Sequence, residues 1–171
     1  MIIETERLIL RPIDADRDFE GWAHSMADKN TVRYLGTKPM SRAESWRSMA
    51  AAIGHWTIRG FGFFSLELKK TGEWVGRVGP WHPEGWPGPE VGWTISPLHL
   101  RKGYAEEAGR ASIEFAFNTL GWDSVIHVIM DGNTPSMGLA EKLGSKWLRS
   151  RKGLPGVTEE TVHIYGQKRP A

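Results

Sequence analysis

The sequence predicts a mixed α/β (α+β) domain built on one mixed sheet with helices on both faces. Two observations carry this expectation. Segments with the two-residue alternation of strands interleave with segments of 3.6-residue helical period, in the order strand, helix, helix, hairpin, strand, helix, strand, helix, strand, strand. The chain has 171 residues, which suits a single domain over residues 1–171, because one core grows to roughly 100–200 residues before chains divide.

Arg7-Leu8-Ile9-Leu10-Arg11-Pro12-Ile13 reads as the first strand, with Leu8 and Leu10 alternating against Arg7, Ile9 and Arg11. Asp14 offers a helix N-cap, and Ala15, Phe19, Trp22, Ala23 and Met26 keep helical spacing, so residues 14–28 form an amphipathic helix. Ser41-Arg42-Ala43-Glu44 makes a capping box for a second helix, whose face is Trp46, Met49, Ala50, Ile53 and Trp56 and whose stop is Gly60. Residues 63–69 and 74–79 form a hairpin around Lys70-Thr71-Gly72-Glu73, where Gly72 supplies the positive φ of a tight turn. Residues 80–89 are rich in Pro, Gly and Trp, which excludes helix and suits an ordered surface loop. Residues 90–96 resume as a strand that ends at Pro97.

Ala105, Ala108, Ser112, Ile113, Ala116, Phe117 and Leu120 hold helical spacing up to Gly121, the strongest helix of the sequence. Ser124–Met130 is a β-branched run typical of a buried strand. The next helix is expected to take Thr134 as N-cap, Pro135 at its first position and Gly144 past its end. Residues 146–151 and 158–168 complete the pattern as two strands.

Composition excludes several classes. The 22 Lys+Arg against 20 Asp+Glu leave a formal charge of +2, which gives nucleic-acid binding no support. With no Cys there is no disulfide, no thiolate metal site and no acyl-cysteine intermediate, so acyl transfer would be direct or use another nucleophile. No stretch approaches the roughly 20 apolar residues of a membrane span, and Glu4, Glu6, Arg7 and Arg11 interrupt the N-terminus where a signal peptide needs an apolar core. A soluble, cytoplasmic protein with no membrane partner is expected. His24, His55, His82, His99, His127 and His163 show no metal spacing, so no metal is expected, and His127 reads as a hydrogen-bonded core residue. Tryptophan supplies nine of the eighteen aromatic residues and recurs in Gly/Pro-rich surroundings.

Leu100-Arg101-Lys102-Gly103-Tyr104-Ala105 joins the strand at 90–96 to the strongest helix. Small residues there allow close backbone approach, and the amides at a helix N-terminus favour an anion, with Arg101 and Lys102 adding charge at the rim. Such a turn can hold a pyrophosphate or serve only helix–strand packing.

The wider segment 90–144 resembles the acyl-CoA-binding core of the GNAT superfamily of N-acetyltransferases. Gly103 and Ala105 match its Gln/Arg-x-x-Gly-x-Gly/Ala fingerprint, with Leu100 where Gln or Arg is usual. Gly-Trp-Thr-Ile-Ser-Pro, Lys-Gly-Tyr-Ala-Glu-Glu-Ala and Asn-Thr-Pro-Ser followed by Glu-Lys-Leu-Gly resemble its ribosomal-protein N-acetyltransferase branch. The likeness extends to residues 4–12 and to Thr-Gly-Glu-Trp-Val-Gly, so it spans most of the chain. It implies the GNAT fold, a mostly antiparallel sheet of about seven strands, in which the strands at 90–96 and 124–130 run parallel and splay apart at the acyl-CoA site.

The resemblance implies acetyl-CoA as co-substrate and a primary amine as acceptor, either a protein N-terminus or a small molecule. Thr94, Ile95 and Ser96 would offer backbone groups to the pantetheine; Arg101, Lys102, Gly103, Tyr104 and Ala105 would frame the pyrophosphate, with the Tyr104 ring packing. Gly92 suits a local bulge or lies under a helix. Glu90 stands where many relatives place a base, or is a solvated strand-end carboxylate. Asn133 matches a pantetheine contact or caps the following helix. Ser136 is the residue this branch presents to the sulfur, since the Tyr found seven residues after that Asn in many relatives is Ala140 here. Tyr165 is a second candidate acid or a structural strand residue. Glu106 replaces a common Thr beside the pyrophosphate. Trp81 and Trp86 either wall the acceptor pocket or clamp their loop. A homodimer is compatible with the resemblance. The competing reading is an acyl-CoA-binding interaction module without turnover, and a nucleotide-binding protein is a poorer third because no phosphate-loop motif is present.

Overall fold

The computed structural model describes residues 1–170. Eight strands form one sheet in the order β1-β2-β3-β4-β5-β6-β8-β7: β1 Ile3–Glu4, β2 Leu8–Arg11, β3 Phe64–Leu68, β4 Trp74–Trp81, β5 Glu90–Ile95, β6 Ser124–Met130, β7 Lys146–Leu154 and β8 Thr158–Lys168. All neighbours are antiparallel except β5 and β6. The strand beyond the expected seven is β1, two residues long, which pairs Ile3 with Leu10 and is too short to leave a periodic signal.

Five helices flank the sheet: α1 Ala15–Ala27, α2 Lys29–Arg33, α3 Arg42–Arg59, α4 Tyr104–Asn118 and α5 Thr134–Lys142. Asp14 caps α1 by accepting from the amides of Asp16 and Arg17. The capping box of α3 is formed by Ser41 and Glu44, and Gly60 ends that helix at φ 77°. At α5 the cap lies one residue earlier than expected: Thr134 is the first helical residue, and Asn133 Oδ1 accepts from the Ser136 amide at 3.3 Å. An Asn carbonyl reaches the third amide as well as a Thr hydroxyl does. The five-residue α2 was not expected; Asp28 caps it through the Thr31 amide.

The alternation of β2 decides the layers. Leu8 and Leu10 face one side, where they pack with Phe64, Leu66, Val75 and Val78 under Ala108 and Phe115 of α4. Arg11 faces the other side, toward α1, and makes a two-pronged pair with buried Asp18 at 2.9 and 2.7 Å. Asp18 also accepts from Ser65 Oγ at 2.6 Å and the Asp14 amide at 2.8 Å, so the buried carboxylate is fully bonded. α1 and α3 close that side through Trp22, Met26, Met49 and Ala52. No helix among the described residues is long and apolar enough to cross a membrane.

Two strand expectations change. β4 continues through Pro80 and Trp81, opposite Val91 and Glu90, although Pro opened the expected loop. The last β3 partner of β4 is Phe64, opposite Val78, so the missing Pro80 N–H breaks no bond of the ladder. The bulge is not at Gly92, which pairs in regular register with Gly79. The register shifts lie between Leu66 and Glu67 of β3 against β4 and, in β7 against β8, between Trp147 and Arg149 and between Lys152 and Leu154.

Candidate active site

β5 and β6 lie side by side, yet a single residue pair, Glu90 with Ile126, is in register between them. Ile126 N donates to Pro89 O at 2.9 Å. In a continuing parallel ladder the next bond would run from the Val128 amide to the Val91 carbonyl. Side chains take both groups instead. Glu90 Oε1 accepts from Val128 N at 3.1 Å, and His127 Nδ1 donates to Val91 O at 2.6 Å. The strands part there and leave a wedge.

Val91 O only accepts, so the His127 proton sits on Nδ1, and Nε2 accepts from Ser145 Oγ at 2.9 Å. Burial pushes the His127 pKa down to about 4, which keeps the ring neutral. His127 is therefore the hydrogen-bonded core residue expected, with a task the sequence did not disclose: it satisfies the strand carbonyl at the point of splay.

Ser96 N donates to Val75 O at 2.9 Å on β4. The alternation of an antiparallel ladder then turns the backbone groups of Thr94 and Ser96 toward β4 and those of Val91, Trp93 and Ile95 toward the wedge. Of the expected trio only Ile95 offers its backbone to the wedge. The parity that points the Trp93 backbone, and not that of Thr94, into the wedge escaped the sequence reading because it depends on the register with β4; the Val91 carbonyl also points there but is held by His127.

After β5 the chain makes a 3₁₀ turn at Pro97–His99 and reaches α4 through Arg101 and Gly103, at φ 60° and 82°. Gly103 caps α4 without any side-chain bond, and the first bond of the helix is Glu107 N to Gly103 O at 3.1 Å. The amides of Tyr104, Ala105 and Glu106 have no helical acceptor and favour an anion. Arg101 and Lys102 are exposed at this turn. Glu106 lies along the helix in an ion pair with Arg110 at 2.9 Å, which compensates its charge. Arg7, which the sequence reading passed over, ties the turn down: Nη1 donates to Lys102 O at 2.8 Å, Nε to Glu107 Oε2 at 2.6 Å, and the guanidinium lies 4.7 Å over the Tyr104 ring.

The wedge is floored by Trp93, whose ring centroid is 4.8 Å from that of His127. Its Nε1 donates to Ser136 Oγ at 3.2 Å. That bond occupies an acceptor site of the hydroxyl and leaves its proton free to donate. Asn133 holds the start of α5 with its Oδ1. Ala140 is fully buried with Ile129 and Tyr165, and Trp93 and Met137 pack on that cluster.

Glu90 opens β5 at 6% exposure, so it is not a solvated strand-end group. Its Oε2 accepts from Trp86 Nε1 at 2.6 Å. Burial pushes its pKa up to about 7, against the opposing pull of Val128, Trp86 and the Arg77 charge. Trp86 thus touches the carboxylate directly. Trp81 stacks between His55 at 4.3 Å and Phe63 at 4.9 Å. Arg77 lies on Phe63 at 4.4 Å and on Trp22 at 4.7 Å. Trp81 and Arg77 both lie against the Phe63 ring, so His55, Trp81, Phe63, Arg77 and Trp22 form one chain of ring contacts on the α1 side of the sheet. Nothing in the spacing of these residues announces it.

The wedge, with unpaired strand groups on one wall and unpaired helix amides at its end, fits a pantetheine chain that ends in a pyrophosphate. Among the described residues no group of three or more His, Asp or Glu side chains gathers as a metal site would require.

Comparison with known proteins agrees with this geometry. The profile of the acetyltransferase (GNAT) domain matches residues 7–146. An uncharacterized N-acetyltransferase of Bacillus subtilis, YoaA, is 31% identical over 147 residues, which cover 84% of this chain and 81% of that protein. The crystal structure of an acetyltransferase from Agrobacterium tumefaciens superposes with a TM-score of 0.84 at 28% identity, covering 99% of this chain and 95% of the other. RimL, a ribosomal L7/L12 alpha-N-protein acetyltransferase solved with coenzyme A, shares the fold at a TM-score of 0.78 and 16% identity, covering 98% of each chain. The chain belongs to the GNAT family of acetyl-CoA-dependent acetyltransferases.

Proposed function

We propose that this enzyme transfers an acetyl group directly to the nitrogen of a primary amine, with Glu90 as the base and Ser136 as the group that stabilises the leaving thiolate or relays a proton to it. The observation that carries this reading is the rung taken over by side chains: Glu90 ends the β5–β6 pairing, so its buried carboxylate stands at the mouth of the wedge that its own bond to Val128 helps to open.

Acetyl-CoA, when bound, supplies a thioester carbonyl to the wedge. The backbone groups of Trp93 and Ile95 hold its pantetheine, the amides of Tyr104, Ala105 and Glu106 hold its pyrophosphate, and Arg101 and Lys102 add positive charge. The acceptor nitrogen forms the new N–C bond while the C–S bond breaks. Glu90 takes the proton from that nitrogen, directly or through one water, and the free hydroxyl hydrogen of Ser136 bonds to the leaving thiolate, stabilising it or relaying to it a proton that water replaces on Ser136. A pKa near 7 suits a base that must pick up and release a proton at neutral pH. Trp86 and Trp81 border the acceptor side beside Glu90. A neutral primary amine, from a protein N-terminus or a small molecule, fits this chemistry equally.

Thiol release measured across a panel of primary amines tests the reading. Acetylated amine formed in step with thiol supports it. Coenzyme binding in calorimetry with no turnover on any amine would instead favour a binding module, the reading that Leu100 and Ala140 leave open.

A further inference from the structure

Arg77 is the charge the catalytic proposal leaves unused. Its guanidinium lies against Trp22 and Phe63, and its Nε is buried with no hydrogen-bond partner among the described residues. This contrasts with Arg11, whose donors on the same side of the sheet are met by Asp18 and Glu67. A buried donor left unpaired costs about 1–3 kcal/mol, so a native chain that keeps one has a use for it. Aromatic rings lie against the guanidinium at 4.7 and 4.4 Å and offer its N–H groups no hydrogen-bond acceptor, so those donors are free for a planar anion. Arg77 as a residue is of intermediate exposure, so it is not sealed from solvent.

Glu90 lies on the same side. Arg77 stands opposite Thr94, Glu90 opposite Trp81, and the row between them is the glycine pair Gly79 and Gly92. A Cβ on Gly92 would meet Phe63 at 3.2 Å and Glu90 Oε1 at 3.3 Å, so the Phe63 ring touches both the arginine and the surroundings of the carboxylate. Each charge is felt by the other, yet they form no direct ion pair. A cation and an anion held apart across a strip without side chains present a complement to a molecule with an amine at one end and an anion at the other.

We propose that the acceptor of this enzyme is an amine that also carries a carboxylate, and that the edge of Arg77 receives this carboxylate while Glu90 faces the amine. A planar carboxylate matches an edge-on guanidinium with two parallel bonds. Polyamines and other multiply cationic acceptors meet a like charge at Arg77 and are disfavoured. The carboxylate can come from a free amino acid or from an acidic residue near the N-terminus of a peptide. This inference rests on the acetyl-transfer reading above.

The test compares kcat/KM for matched acceptors: amino acids against their carboxamides, and Ala-Asp against Ala-Asn peptides with amidated C-termini. The wild-type enzyme is expected to prefer the carboxylate member of one pair by about 10- to 100-fold, the range of a charge-assisted bond. The pair that shows the preference identifies the source. Arg77→Gln should abolish the preference through KM, and Arg77→Lys should retain part of it, with acetyl-CoA binding in calorimetry unchanged in both. If Arg77 served only to hold Glu90 ionised, Arg77→Gln would shift the pH profile for every acceptor alike and leave the ratio intact, and the proposal would fall. Turnover with no carboxylate preference in the wild type would also overturn it while leaving acetyl transfer standing. No turnover on any amine would overturn both readings.

Discussion

Glu90 accepts the amide hydrogen of Val128 at 3.1 Å, so one buried carboxylate terminates the β5–β6 pairing and stands at the mouth of the wedge. Its burial holds the pKa at about 7. Below that value the carboxyl is protonated and cannot take a proton, so kcat/KM should fall about tenfold per pH unit on the acid side. Glu90→Gln should lower kcat by roughly 10²–10⁴ and abolish this limb, with acetyl-CoA binding little changed. A pH–rate profile of both proteins checks it, and an unchanged wild-type rate from pH 8 to pH 5.5 would remove Glu90 as the base.

The same shift affects stability with a definite sign. The folded pKa of Glu90 is above its ordinary value of 4.5, so the native state binds this proton more tightly and loses that advantage as pH rises from 4.5 toward 7. Denaturant titrations should show Glu90→Gln gaining on the wild type across that interval.

Ser136→Ala should slow transfer at saturating substrates without weakening acetyl-CoA binding, because Trp93 already occupies one acceptor site of the hydroxyl and only the proton is lost. Tyr165→Phe, made in the neighbouring cluster, should leave kcat unchanged. The reverse pattern in steady-state rates would move the acid from Ser136 to Tyr165.

His127→Phe should destabilise the fold by about 2–4 kcal/mol, since Val91 O loses its donor and the Ser145 hydroxyl loses its acceptor, keeping only the bond from Gln167. The wild-type His127 pKa, pushed down to about 4 by burial, lies below the ordinary 6.5. Its contribution is therefore full above pH 6.5 and is lost as pH falls toward 4. Thermal melts of both proteins between pH 4 and pH 7.5 should converge at the acid end.

Asp18→Asn should cost about 3–5 kcal/mol, because it leaves Arg11 charged and short of a partner in the interior. Arg11→Met together with Asp18→Leu should cost less than the single change. Equal losses in chemical denaturation would show that packing, and not the charge, sets the cost.

Much of the framework was legible because its causes are local. Ser41 with Glu44, Asp14 before α1, and Gly60 after α3 act within a few residues of themselves, and the period of α4 is written in its own apolar positions. The wedge was legible through Gly103, Ala105 and Asn133, whose spacing carries the family resemblance. What escaped depends on partners far away in sequence. The parity that turns Val91, Trp93 and Ile95 into the wedge follows from the register with β4, and Arg7 acts on Lys102 and Glu107 across 95 and 100 positions. Pro80 read as a loop residue because the sequence does not show that β3 stops short of it.

The chain of ring contacts through His55, Trp81, Phe63, Arg77 and Trp22 draws its members from α3, β4, the residue before β3, and α1. Contacting residues do not behave as independent variables. Trimming Phe63 alone would unseat both planes that lean on it, so single substitutions would report strong epistasis. Redirecting this enzyme to another acceptor in the laboratory would call for libraries that vary these positions jointly.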